Sequence, residues 1–314
     1  MYKLKVGIIF QSNNDRLLPE KGSWHNLRNK YFFIDGLSEN DRIEYTKCCI
    51  EGPIVDCSQF THFDILILFP WGKSFLTMNN LHKIKVPKVL RLPDVYRITK
   101  KWMKNWREQK IEHFVTNFCV KYTRKYLSEE FNLYNIIFGM KPVSVDLIRF
   151  RSRRKDKILL TGKIGNKRCY ALRKKLSCAP EVEYLNQRMA GIRDKYNLTL
   201  SSYQASIAAC EVMPVYKYFE IPACGTLCFM EVNEQNGYEE FSFVDKENAI
   251  FITKDNYQKR FKEFLDTIDD LKWERIALNG RDLIEREYSN EVQVDKFIDI
   301  LYQIVDFKNV NNFK

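Results

Sequence analysis

The sequence predicts an α/β protein of two domains, and three observations predict it. At 314 residues the chain exceeds one ordinary domain and fits two. Short apolar runs alternate with helical stretches, the pattern of strand–helix–strand units. That alternation restarts at Ile158, directly after the charged stretch RFRSRRKDK (Arg149 to Lys157), whose composition suits an inter-domain crossing. The two domains are therefore expected to meet near residues 147–157.

In the first half, Lys3 to Phe10 alternates and then runs apolar, as a buried parallel strand does. The polar loop after it, Gln11 to Trp24, follows a strand's C-terminal end, where open α/β sheets bind ligands. His25 stands beside that loop and could meet an acceptor or be structural. FDILILF (Phe63 to Phe69) is the next strand and is broken by Pro70-Trp71-Gly72; Val86 to Leu92 is another, ending at Pro93-Asp94. An Asp just past a strand can be aimed into a cleft as a general base, or can cap the following helix, so Asp94 carries both readings.

Residues 97–110 (RITKKWMKNWREQK) are the main charge feature. Arg97, Lys100, Lys101, Lys104 and Arg107 share one helical face, and Trp102 and Trp106 lie one turn apart on another. Such a helix could lie on an anionic membrane or follow nucleic-acid phosphates. It could equally bury both Trp and leave its Lys in water. Ile111 to Asn117 and Tyr134 to Phe138 read as strands, with a helix over Tyr122 to Leu127 between them.

In the second half, Ile158 to Thr161 is a strand, Gly162 to Asn166 a turn, and Tyr170 to Leu176 a helix. Gly162 allows a ligand to approach the backbone closely. The helix start would favour a diphosphate, and Lys163 or Arg173 can neutralise its charge. YQASIAAC (Tyr203 to Cys210) reads as a small-residue helix. In YKYFEIPACGTLCFMEVN (Tyr216 to Asn233), a helix end carrying Lys217 and Glu220 leads through Pro222, Gly225 and Thr226 into an apolar strand. A carboxylate at such a junction can accept from both hydroxyls of a ribose. Ala249 to Thr253 is a strand, and Tyr257 to Ile268, Trp273 to Glu287 and Val292 to Val305 are helices.

KYFEIPACGTL (Lys217 to Leu227) resembles the donor-site segment of nucleotide-sugar glycosyltransferases of the GT-B fold, nearest the CgeB-like branch of glycosyl transferases group 1. Two further stretches match that family in order: Phe243 to Ile250, with Ser242 and Lys246 where glycines are usual, and IALNGR (Ile276 to Arg281). The resemblance spans about residues 156–305. It implies two Rossmann-like domains facing a cleft, residues 1–150 on the acceptor side and 151–290 on the donor side. It also implies a C-terminal helix within 291–314 packing back on the first domain.

The resemblance further implies a glycosyltransferase that moves a sugar from a nucleotide-diphosphate donor to a hydroxyl acceptor, whether glycan, protein or modified nucleobase. No metal and no cofactor are expected. The implied donor-binding residues are Gly162, Lys163, Arg173, Lys217, Glu220, Gly225 and Thr226, with Asp94 and His25 as the catalytic pair. Two departures stand out. The family's paired Glu is shifted, with Glu211 nearest and Val212 at the usual spacing, and the His often found near Tyr288 is missing. Those departures leave open a binding module that kept the fold without activity.

Composition bounds the remaining classes. The net charge is +11, with a basic front half and an acidic stretch at 231–300, which invites a polyanionic partner or reflects solvated lysines. A nucleic-acid-binding protein is the third reading. The longest apolar run, Phe63 to Trp71, is too short to span a bilayer. Nine unpatterned Cys and no zinc spacing suggest reduced thiols and a cytoplasmic protein.

Overall fold

The computed structural model describes residues 2–11, 36–50, 54–69, 77–92, 95, 98–137, 140–154, 156–165, 169–186 and 194–312. They form two compact units, one of residues 1–139 with 290–314 and one of residues 140–289. His25, Asp94 and Arg97 lie outside the described residues.

Among the described residues the first unit carries eight strands. They are β1 (Leu4–Gln11), β2 (Ile43–Ile50), β3 (Ile54–Asp56), β4 (Ile65–Leu68), β5 (Thr77–Asn79), β6 (Lys88–Arg91), β7 (His113–Thr116) and β8 (Asn132–Asn135). Six of them make one parallel sheet in the order β2-β1-β4-β6-β7-β8, while β3 pairs with β5 alone. The sequence gives no warning of β2, an edge strand whose polar Glu44 and Lys47 dilute the apolar signal.

The basic stretch forms helix α1 (Lys100–Glu108), with the Thr99 hydroxyl accepting from the Trp102 N–H as its N-cap. Trp106 is buried, 5.0 Å from the ring of Phe114, and Trp102 lies 6.3 Å from Trp106. Its cations are partly engaged: Arg107 pairs with Glu130, and Lys104 lies 3.8 Å from Glu108. Trp106 is thus a core residue, and the exposed charges keep the outer face in water. A shorter helix, α2 (Val120–Arg124), precedes β8.

Among the described residues the second unit has five strands, β9 (Ile158–Thr161), β10 (Val182–Leu185), β11 (Ala205–Ala208), β12 (Leu227–Glu231) and β13 (Ile250–Ile252). All pair in parallel, in the order β10-β9-β11-β12-β13. This is a doubly wound order, with its switch point between β9 and β11. The helices are α3 (Ala171–Leu176), α4 (Asp194–Ser201), α5 (Lys217–Ala223), α6 (Tyr257–Asp266) and α7 (Leu271–Leu283). Phe261, Phe264, Trp273 and Ile276 from α6 and α7 pack with Phe229, Ile250 and Leu160 of the sheet.

Two expectations change here. The helix read over Tyr203 to Cys210 is the strand β11, all four residues buried between β9 and β12. Burial on both faces overrides the helical preference of its alanines. The crossing read at 147–157 lies inside the second unit, which begins at Met140. Phe150 belongs to its core, and Arg153 is 9% exposed, donating to the carbonyls of Cys224 (3.0 Å) and Gly225 (2.8 Å). A charged residue read as surface is here a buried strut.

The stretches that carry the resemblance dock on one another. A Cβ on Gly280 would lie 2.5 Å from the Asn248 carbonyl, so α7 needs glycine there to approach the 243–250 turn. Asn279 donates to the Glu247 carbonyl, and Arg281 to that of Val143. Asn248 holds the turn through Val244 and Ser242. Lys246 has φ 63°, which explains why glycine is usual at that position.

After a π-helical turn (Ile284–Tyr288), the last helix, α8 (Asn290–Asn312), belongs to the first unit. Its Val294, Phe297, Ile298, Leu301 and Ile304 join Leu4, Val6, Ile8, Ile65 and Ile67 in one core. Each such buried side chain contributes about 1.5–3 kcal/mol. The Gln293 side chain accepts from the Ile137 N–H, and the Tyr302 hydroxyl donates to the Arg42 carbonyl.

Candidate functional site

The site is built at the switch point of the second unit, where β9 and β11 end. A doubly wound sheet binds its ligands there, because the chain leaves the two strands in opposite directions and opens a crevice between them. β9 ends at Thr161, and Gly162 follows with φ 97°, a conformation side chains resist. Its carbonyl accepts from the Tyr184 hydroxyl at 2.8 Å, which fixes the turn. A Cβ on Gly162 would lie 3.2 Å from Cε of Lys217, 3.6 Å from its Nζ and 3.7 Å from Nη1 of Arg173. One glycine, one lysine and one arginine from three elements thus meet at a point.

Arg173, on α3, is 3% exposed. Its guanidinium lies 3.9 Å from the centroid of the Tyr170 ring and donates to the carbonyls of Lys163 (3.2 Å) and Ala209. It therefore ties the loop after β9 to the end of β11. Its Nε has no partner, and no carboxylate pairs with it among the described residues. Lys217 opens α5 half-buried, its ammonium donating to the Tyr196 hydroxyl at 2.6 Å. Loss of water depresses its pKa to about 8; Glu220 opposes that shift and Arg173 adds to it. Lys163 is exposed.

Glu220 lies one turn along α5, in the first turn of the helix and not at its end as the sequence suggested. Its Oε2 accepts from the Tyr196 hydroxyl at 3.4 Å. Tyr196, from α4, also bonds the Thr161 hydroxyl at 3.3 Å, and burial followed by the Glu220 charge pushes its pKa well up. Nothing in the sequence marks this tyrosine, because α4 contributes it across a gap of more than twenty residues.

The structure brings Gly162, Lys163, Arg173, Lys217 and Glu220 together and leaves Gly225 and Thr226 apart. α5 returns the chain from the C-terminal ends of the parallel strands to their N-terminal ends, so both residues fall at the far end of the sheet. Thr226 has no exposure; its hydroxyl donates to the Leu200 carbonyl (3.0 Å) and accepts from Arg153 (3.0 Å). A Cβ on Gly225 would lie 2.6 Å from Ile148. Both serve packing. α3 is also only six residues long, so charge at this site comes from side chains more than from a helix dipole.

A second carboxylate escapes the sequence reading. Glu231 closes β12 with 2% exposure, and its Oε2 has no partner among the described residues. Burial, then Glu211, push its pKa up to about 7. Glu211, the shifted member of the expected pair, is bound by Lys254. Among the described residues no three His, Cys, Asp or Glu side chains cluster to hold a metal ion, and no helix is long and apolar enough to cross a membrane.

Residues 159–299 match the family model described as glycosyl transferase-like. The fold is similar to that of Anabaena HepE in complex with UDP and glucose, with a TM-score of 0.59, 11% identity, 96% of this chain and 100% of that chain covered. It is also similar to a glycosyltransferase from Rickettsia africae, with a TM-score of 0.62, 8% identity, and 97% and 99% covered. No curated protein matches the chain. The chain thus has the GT-B glycosyltransferase fold over nearly its whole length, and residues 159–299 are similar to a glycosyl transferase-like domain.

Proposed function

We propose that this protein transfers a glycosyl group from a nucleoside-diphosphate sugar to a hydroxyl acceptor. The observation that carries the reading is the pair of cations at Gly162: among the described residues Arg173 and Lys217 stand without a carboxylate ion-pair partner, at the point of the sheet where a ligand is expected. Such charges favour an anion, and a diphosphate is the anion that glycosyl transfer releases. As the bond from sugar to diphosphate breaks, negative charge builds on the leaving oxygen. Lys217 retains two N–H donors after its bond to Tyr196, and these can stabilise that charge as it forms. The two side-chain cations take the part that a bridging metal ion takes in other transferases.

Glu220 has its Oε1 free to accept from a ribose, while Oε2 is held by Tyr196. The UDP and UDP-glucose bound to HepE support a nucleotide donor. Asp94 as the base that takes the acceptor proton, with His25 beside the acceptor, extends the reading from the sequence.

The test is a thermal-shift series with UDP, GDP, ADP, CMP and dTDP, since a ligand bound by the native state alone raises its apparent stability. One of the five should give a clear rise. For that nucleotide, Glu220→Gln should lower affinity at least about tenfold, equivalent to roughly 1.4 kcal/mol. The 2′-deoxy form should bind the wild type more weakly and lose little more on mutation. No shift with any of the five overturns the function; an equal loss for both sugars removes Glu220 from the ribose.

A further inference from the structure

We infer that Tyr196 is a positioning residue of the donor site, a neutral spacer that holds the Lys217 ammonium at Gly162 by keeping it off Glu220. The inference rests on the proposed nucleotide site and names a residue that neither the sequence motifs nor the comparisons single out.

Lys217 and Glu220 stand at i and i+3 on α5, a spacing at which opposite charges ordinarily pair. No ion pair joins them here. The Tyr196 hydroxyl lies between, 2.6 Å from Lys217 Nζ and 3.4 Å from Glu220 Oε2, with Thr161 Oγ1 at 3.3 Å. Donor and acceptor roles follow from the partners. An ammonium only donates and a carboxylate only accepts. The phenol therefore accepts from Lys217 and donates its single proton to Glu220, which leaves Thr161 as a donor to its other lone pair.

The ammonium lies 4.9 Å from the Tyr196 ring centroid, beyond the hydroxyl at the ring's edge, so the hydroxyl is what holds it. The consequence is a division of labour. One carboxylate oxygen of Glu220 is occupied and the other is open, while the Lys217 charge is neither neutralised nor free to swing. Among the described residues the charged and titratable groups that face Lys217 are Arg173 from α3, Glu220 from α5 and Tyr196 from α4, with the turn at Gly162 beside them.

Removing the hydroxyl should let Lys217 collapse onto Glu220. The experiment compares wild type, Tyr196→Phe and Lys217→Met by calorimetry with UDP, GDP and ADP. It also follows acylation of Lys217 against pH by mass spectrometry, which needs no ligand. In the wild type Lys217 should become reactive near pH 8. In Tyr196→Phe the reactivity midpoint should move to higher pH, because a direct carboxylate partner favours the ammonium, and diphosphate affinity should fall about tenfold. Circular dichroism identifies any loss due to unfolding, and Tyr196→His, which restores a polar ring, should recover part of the affinity.

An unchanged or lowered midpoint in a folded Tyr196→Phe overturns the spacer role. So does full affinity in that variant when Lys217→Met is impaired, and in both cases the nucleotide site stands. A wild type that binds none of the three nucleotides overturns the site, and the inference with it.

Discussion

Gly162 and Lys217 are in near contact across the end of β9: a Cβ on the glycine would lie 3.2 Å from Cε of the lysine. The backbone at Gly162 is left-handed, φ 97°, so any side chain there is strained as well as crowded. Gly162→Ala should lower stability by about 1–2 kcal/mol and displace Lys217, so nucleotide affinity should fall further than the loss of fold explains. Chemical denaturation and calorimetry on the same sample separate the two effects. Wild-type affinity in a stable variant would show that Lys217 does not need this approach.

The depressed pKa of Lys217 sets a pH dependence. Below about pH 8 the ammonium is charged; above it, the lysine loses its proton and its hold on phosphate. Diphosphate affinity should therefore be constant from about pH 7, where the terminal phosphate is mostly ionised, to about pH 8, and fall as pH rises beyond it. Lys217→Arg, which stays charged, should abolish the fall even where the absolute affinity is weaker. The sign for stability is opposite. The unfolded lysine holds its proton to higher pH than the folded one, so this residue's contribution to stability improves between about pH 8 and its ordinary value near 10.4. A profile falling below pH 7 would point to a different group.

Glu231 makes a prediction about stability alone. Its carboxyl is buried, its Oε2 lacks a partner, and its folded pKa is raised to about 7. The folded state thus binds a proton that the unfolded state releases at lower pH. Stability from this group is full below about pH 4.3 and is lost as pH rises through 7. Glu231→Gln should raise stability at pH 8 by on the order of 1–3 kcal/mol and change little at pH 4.5. Melting curves at both values decide it; equal shifts would mean the carboxylate is ionised and paired.

Lys246 occupies a left-handed position, φ 63°, a conformation that glycine adopts without steric cost. Its amide donates to the Ala249 carbonyl at 2.8 Å, so the turn itself is well formed. Lys246→Gly should relieve the strain and stabilise the protein by about 0.5–1 kcal/mol without altering nucleotide binding. A lower melting temperature would show that the lysine side chain holds the turn.

Much of the fold is legible in the residues. β9 matches the expected ILLT run to the residue, because a four-residue apolar strand between a charged stretch and a glycine has no rival reading. β11 is misread for a physical reason: Ala, Ser and Ile in a short run suit a helix or a buried strand, and only the neighbours β9 and β12 choose. Gly225 and Thr226 look like site residues because they follow Glu220 in the motif, yet α5 carries them to the far end of the sheet. Nearness in sequence is lost over a single helix in a parallel sheet.

By itself the sequence determined the two α/β halves, the strand–glycine–helix order at Gly162, and the presence of Arg173, Lys217 and Glu220, since each follows from local pattern or motif order. Only the tertiary structure decided that these residues meet. Arg173, Lys217 and Tyr196 come from three helices that are separate in the chain, and they converge because β9 and β11 are neighbours whose connections leave on opposite sides. The tertiary structure also decided that Arg153 is a buried strut and that the Glu231 carboxyl is buried with its Oε2 unpaired among the described residues. Burial and partner geometry depend on what other segments bring to the same place, and no window of sequence contains that.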